Sequence, residues 1–211
     1  LKNAYFIMKK SFVIYFRTAS AIAAMTFFTV GCSKNNDKPA VSPTVQRAVT
    51  VAGASPYTIT GKYGNPALGP TGFGTVYVNL ATPAQDSTGT FTGVNVLFTS
   101  FDNSFVKVPS GYTLKYLYNP SATFTSLKIS DFTTTAGSGG VGQNTGGSSP
   151  NGWYNYDTEG NPVAIAGFYL LVTPTGSGTS YAFYFSGVTA QGTPSWNRGV
   201  YTITYGVINN L

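Results

Sequence analysis

Histidine is absent from the 211 residues, cysteine occurs once, methionine twice, and the four charged residue types together make up only 9 %. Without histidine the chain lacks the commonest general base and transition-metal ligand of neutral pH, and with it every Ser-His and Cys-His nucleophile pairing. One cysteine cannot close an intramolecular disulfide, so apolar burial and sheet hydrogen bonds must stabilise the fold. Sustained helical spacing is missing beyond residue 45, which excludes a helical bundle.

What is present begins with a leader. Lys9, Lys10 and Arg17 give a basic start, residues 18–30 carry no charge, and Cys32 ends the run. The uncharged stretch has the length of a secretory apolar region and falls short of the ~20 apolar residues that span a bilayer. Thr29-Val30-Gly31-Cys32 resembles the lipobox of bacterial lipoproteins, whose cysteine becomes a diacylated N-terminus, although that family prefers Leu where Thr29 stands. The sequence therefore predicts a leader with a lipoprotein signal peptide over residues 1–31, with Met8 as the functional start. A lipidated polar tether over 32–45 and one domain over 46–211 follow.

Removing the leader takes away both methionines and Lys2, Lys9, Lys10 and Arg17, which lowers the net charge from +6 to +2. So small a charge supplies no basic stripe for a nucleic acid. The expected partner is the membrane, held through acyl chains on Cys32 whose methylenes contribute ~0.8 kcal/mol each. This places the chain as an outer-membrane lipoprotein, on the periplasmic or the cell-surface side.

Past the tether the chain is rich in Val, Ile, Thr, Tyr and Phe and is broken every several residues by Gly, Pro, Asn or Ser, the pattern of many short strands. Tyr201, Ile203, Tyr205 and Val207 share one face of a strand; Tyr181, Phe183 and Phe185 do the same, as do Val76, Val78 and Leu80. Apolar runs over 94–98, interrupted by Asn95, and over 163–172 predict strands near a sheet centre. Turn residues at 158–162 and 174–178 join consecutive strands as hairpins. The predicted fold is all-β, a single antiparallel β-sandwich or meander. Residues 133–152, mostly Gly, Ser, Thr and Asn, exceed the usual length of a structureless loop and predict a linker, or alternatively a flap over a ligand.

Chemistry is restricted to carboxylates and aromatics. The domain carries Asp86, Asp102, Asp131, Asp157 and Glu159. A glycosidase needs two such groups across a scissile bond. Asp157 and Glu159 lie two apart, but Gly160-Asn161-Pro162 puts them at a turn, so they read as solvated carboxylates, with a weak calcium site and catalysis as alternatives. Asp86-Ser87-Thr88 resembles the short O-glycosylation signal of exported Bacteroidetes proteins and otherwise reads as an exposed loop. No catalytic or metal-binding residue is assigned. Tyr and Phe number 15 each and Trp two; in strands most are expected in the core or in cross-strand pairs, with some left to line a pocket. Trp153, Tyr154 and Tyr156, after the glycine-rich stretch, and Trp196 and Arg198, before the final strand, are the ligand-binding candidates, suited to stacking on a flat, apolar or sugar ligand.

The order Gly152-Trp153-Tyr154-Asn155-Tyr156-Asp157, an apolar strand over 163–172, Tyr181-Ala182-Phe183-Tyr184-Phe185 and an aromatic last strand over 199–205 is similar to the closing part of HmuY-like haem-binding lipoproteins of the Bacteroidetes. Thr75-Val76-Tyr77-Val78-Asn79-Leu80 and Asn95-Val96-Leu97-Phe98-Thr99 look like that family's early strands, without its usual Trp-Asp before the second. The resemblance implies a membrane-anchored all-β protein that captures haem for an outer-membrane transporter. Family members hold the iron through His pairs or Met, and the mature chain has neither, so no axial ligand carries over to any position. A Tyr phenolate, an iron-free tetrapyrrole or another apolar ligand would fit the same frame. The function expected is ligand binding without catalysis, with haem or another tetrapyrrole as cofactor by resemblance alone. A carbohydrate-binding or adhesive surface module is the alternative.

Overall fold

The computed structural model describes residues 51–208; the leader, Cys32 and the tether lie outside the described residues. Short alternating segments form twelve strands: β1 (Ala52–Thr60), β2 (Val76–Asn79), β3 (Ala84–Asp86), β4 (Val96–Thr99), β5 (Phe105–Lys107), β6 (Tyr112–Tyr118), β7 (Thr134–Thr135), β8 (Tyr154–Tyr156), β9 (Pro162–Ala164), β10 (Phe168–Pro174), β11 (Ser180–Thr193) and β12 (Trp196–Ile208). Five short 3-10 turns and no α-helix accompany them among the described residues. The fold is all-β, as the residue pattern predicts.

Six strands make one antiparallel sheet in the order β1-β12-β11-β10-β6-β7, four make a second in the order β3-β2-β4-β5, and β8 pairs with β9 as a separate hairpin. Between them lies the main core. Val76, Val78, Val96, Phe98 and Val106 of the smaller sheet meet Ile59, Leu170, Phe183, Phe185, Tyr201 and Ile203 of the larger. The period-2 faces read from the sequence supply these residues, because alternate side chains of a strand leave on the same side. β10 is buried on both faces. Its Phe168, Leu170 and Val172 enter the main core, while Tyr169 and Leu171 join Phe124, Leu127 and Phe132 in a second cluster behind the sheet. That double burial is why its run is continuously apolar.

Three expectations need correction. The apolar run over 163–172 is two strands in different sheets, β9 and β10, separated at Gly167, whose φ of 78° bends the chain between them. The strand read from Tyr181, Phe183 and Phe185 runs on to Thr193, and the last strand, read from residue 199, already starts at Trp196, so a two-residue turn closes a long ribbon in which Thr193 pairs with Trp196. Residues 133–152 are neither a linker nor a flap. Val141 is buried and exchanges two 2.9 Å backbone hydrogen bonds with Val106, while Trp153 N donates to Gly142 O at 2.8 Å and Asn144 N to Tyr154 O at 2.8 Å. The glycines here are a packing requirement: a Cβ on Gly140 would strike the Val106 backbone and one on Gly152 the Gln143 backbone.

Trp153 joins the layers. It is 1 % exposed, stacks on Phe185 with centroids 3.6 Å apart, and donates Nε1–H to the Ser104 carbonyl at 2.8 Å. Trp153→Phe keeps most of the burial but leaves that carbonyl unpaired, and is expected to lower stability by ~1–3 kcal/mol. Urea unfolding followed by circular dichroism measures this; a change below about 0.5 kcal/mol would show that the indole hydrogen bond contributes little.

Candidate functional site

Three of the four residues in the turn from Ser100 to Asn103 carry an unusual backbone. Ser100, Asp102 and Asn103 have φ of 70°, 54° and 59°, a left-handed region that Asp and Asn enter more readily than other side chains. The surroundings hold the turn there from two sides. Asn103 is fully buried; its Oδ1 accepts from Lys62 N at 2.7 Å and its Nδ2 donates to Gly74 O at 3.0 Å and Phe98 O at 3.2 Å. Opposite, Tyr201 Oη donates to Asp102 O at 2.6 Å, and Trp153 holds Ser104 O. Gly199 faces this contact, and a Cβ there would meet the Tyr201 hydroxyl and Asp102 O. A backbone so fixed can sustain strain, and such strain concentrates at functional positions.

The turn sets the Asp102 side chain in the wall of a cavity of about 250 Å3, with Trp153, Tyr154, Tyr156, Asn197 and Tyr201 around it. Asp102 Oδ1 and Asn197 Oδ1, on two of the lining residues, are buried without a hydrogen-bond partner among the described residues. Burial raises the Asp102 carboxyl above its ordinary value, and no hydrogen bond or opposite charge lowers it. The neighbouring phenols move the same way. Burial pushes Tyr154 up to about 12, aided by Tyr156 and opposed by its 3.3 Å contact with Ser104 Oγ. Burial and then the Asp102 charge drive Tyr201 well above its usual range. Both phenols are therefore neutral at physiological pH. The cavity has aromatic walls and, beside them, a carboxyl whose Oδ1 has no partner among the described residues.

The five candidates from the sequence divide between two places. Trp153 and Tyr154 are buried and form the inner wall of the cavity, and Tyr156, 49 % exposed, stands at its rim. Trp153 is thus a core residue with one edge at the site, contrary to a wholly rim-like role. Trp196 and Arg198 lie elsewhere, because they alternate with Asn197 and Gly199 along β12 and point to its other side. Trp196 is 55 % exposed, and its ring lies parallel to that of Tyr63 with centroids 6.4 Å apart. The Arg198 guanidinium sits 4.4 Å from the Tyr63 ring centroid and donates from Nε and Nη2 to Gln191 Oε1 at 3.1 and 2.9 Å.

Asp157 Oδ1 accepts from the backbone N–H of Glu159 and Asn161, and Asp86 Oδ2 from those of Thr88 and Gly89, so both carboxylates close exposed turns. Sequence reasoning left Asp102 among five dispersed carboxylates and did not single out Asn197, Tyr201 or Tyr63. The run Ser100-Phe101-Asp102-Asn103-Ser104 did carry a signal, since adjacent Asp and Asn mark positions that tolerate left-handed backbone. Comparison with family models, curated proteins and solved structures finds no match to this chain.

A carboxyl whose folded value is raised favours the folded state most when protonated. Its contribution is full below the unfolded pKa and is lost as pH rises through the folded one. Asp102→Asn, which keeps the shape and tolerates the same backbone, is therefore expected to stabilise the protein at pH 7 by roughly 0.5–1 kcal/mol, screening at a half-exposed site included. Thermal unfolding of both proteins should show this gap at pH 7 and its disappearance near pH 3; burial raises the neighbouring Tyr154 and Tyr201 phenols, so they stay neutral throughout. A less stable variant at pH 7 would contradict the unpaired, desolvated state of the carboxylate.

Proposed function

We propose that this chain is a membrane-tethered binding protein whose β-domain holds a small organic ligand between Asp102, Tyr154, Tyr156 and Asn197, without catalysing a reaction on it. The observation that carries the reading is the unpartnered Asp102 carboxylate in an aromatic-walled cavity. Buried polar atoms are nearly always satisfied, and one that the protein leaves free at a cavity wall costs stability unless a ligand completes it. Lipidation at Cys32, read from the leader, supplies the tether.

The cavity contents weigh against two other readings. A two-carboxylate hydrolase needs a second acid across the bond, and among the described residues Asp102 is the only carboxylate lining this cavity. A tetrapyrrole macrocycle is larger than a cavity of about 250 Å3, which lies below the ~300–1,000 Å3 of drug-sized ligands. Phenolate ligation of haem iron is disfavoured as well, because burial holds Tyr154 and Tyr201 protonated. A carbohydrate-binding role has a specific observation in its favour at the other place: the exposed, parallel Tyr63 and Trp196 rings beside Arg198. Such a platform suits the apolar face of a sugar ring.

With Trp196→Phe as background, Trp153 is the only indole and its fluorescence reports the cavity. Small-molecule screening of the full chain in detergent is expected to yield binders that quench it and that are lost on Ala190→Phe, which fills the mouth from an exposed strand position. Haem is expected to keep its free Soret position. Micromolar haem binding, or binders indifferent to Ala190→Phe, would overturn the cavity reading. Glycan binding abolished by Trp196→Ala would assign the sugar role to the platform. An unmodified Cys32 thiol in protein from the native host, seen by mass spectrometry, would remove the tether.

A further inference from the structure

We infer that the Asp102 cavity is selective for a small organic cation, an amine carried on an apolar or aromatic body. The inference rests on the cavity reading above and narrows its ligand class.

Charge accounting leads to it. A partly desolvated carboxylate is costly unless paired, and among the described residues no hydrogen bond or basic group partners Asp102. No Lys or Arg lines the cavity. Lys62, whose backbone N–H bonds Asn103 in the turn, sends its Nζ to Ser87 O at 3.4 Å, and Arg198 is engaged by Gln191 and Tyr63. Among the described residues nothing supplies the positive charge, and a cationic ligand would.

The walls have the matching chemistry. Tyr154 and Tyr156 meet edge to face at 5.5 Å and 87°, and Tyr154 tilts against Trp153 at 4.6 Å, so ring faces and edges surround the space beside the carboxylate. Aromatic faces attract ammonium groups through their quadrupoles, more strongly when desolvated. The phenolic hydrogens are already used in part, since Tyr201 Oη donates to Asp102 O and Tyr154 Oη is within 3.3 Å of Ser104 Oγ. The Asn197 amide can present either end and so adapts to the ligand's remaining polar group. An anion would meet Asp102 without a compensating base. A neutral alcohol would leave the charge of Asp102 unpaired.

The test pairs two molecules of nearly equal shape, 2-phenylethylammonium and 2-phenylethanol, with methyl glucoside as a polyol control and 3-phenylpropionate as an anion. Trp153 fluorescence of the full chain in detergent, on the Trp196→Phe background, reads affinity at pH 7. The amine is expected to bind at least tenfold more tightly than the alcohol, and the anion not at all. Asp102→Asn is expected to lower amine affinity at least tenfold and leave the alcohol unchanged, with a cooperative thermal transition showing that the variant is folded. Tyr156→Ala, a substitution at the half-exposed rim, is expected to weaken the amine severalfold and serves as the second variant. Equal affinity for amine and alcohol, or an amine affinity untouched by Asp102→Asn, overturns the cation inference while the cavity reading stands. Binding of methyl glucoside in preference to the amine does the same. No response to any of the four probes, together with no binder in the wider screen, overturns both.

Discussion

The hydrogen bond from the Trp153 indole to the Ser104 carbonyl joins the three parts on which the site depends. The ring lies flat against Phe185 of the large sheet, its backbone hands the chain from the packed glycine-rich stretch into β8, and its N–H holds the end of the left-handed turn. With Asn103 bonding the other side of that turn to Lys62, Gly74 and Phe98, the Asp102 backbone has no freedom to relax. A carboxylate in a flexible loop would swing into water. Here burial raises its pKa, and its Oδ1 has no partner among the described residues.

The consequence is a division of labour within the sandwich. Alternating aromatic and aliphatic residues of the two sheets provide stability without a disulfide, and several of the same aromatics reach past the core to form the cavity walls. Tyr201 serves both ends: its ring stacks on Phe98 at 5.9 Å while its hydroxyl fixes Asp102. Rigid supports of this kind limit the ordering cost when a ligand binds. The cost appears instead as an unpaired charge in the free protein, a common trade between stability and function.

Much of the architecture was legible in the residues. Tyr181, Phe183 and Phe185, and Tyr201 and Ile203, alternate as strands must, and the unbroken run at Phe168 to Val172 follows from a strand covered on both faces. The glycine-rich stretch was misread because glycine supplies both flexibility and close approach, and only the facing backbone of Val106 tells which applies. The site was harder. Trp153, Tyr154 and Tyr156 are adjacent in sequence and could be singled out, whereas Asp102 meets them only through the fold, with Tyr201 99 residues away across one hydrogen bond. Trp196 and Arg198 looked like members of the same rim because alternation along β12, which sends them away from Asn197 and Gly199, was not yet placed on a strand.

The proposed binding role turns on the Asp102 carboxyl being unpaired in the free protein and meeting a positive charge in the complex. An NMR titration of its carboxyl carbon, with the free protein and with protein saturated by 2-phenylethylammonium, addresses it directly. A pKa above the ordinary aspartate value in the free protein and a fall when the amine is bound are expected. A free-protein pKa at or below the ordinary value, unchanged by the amine, would contradict it.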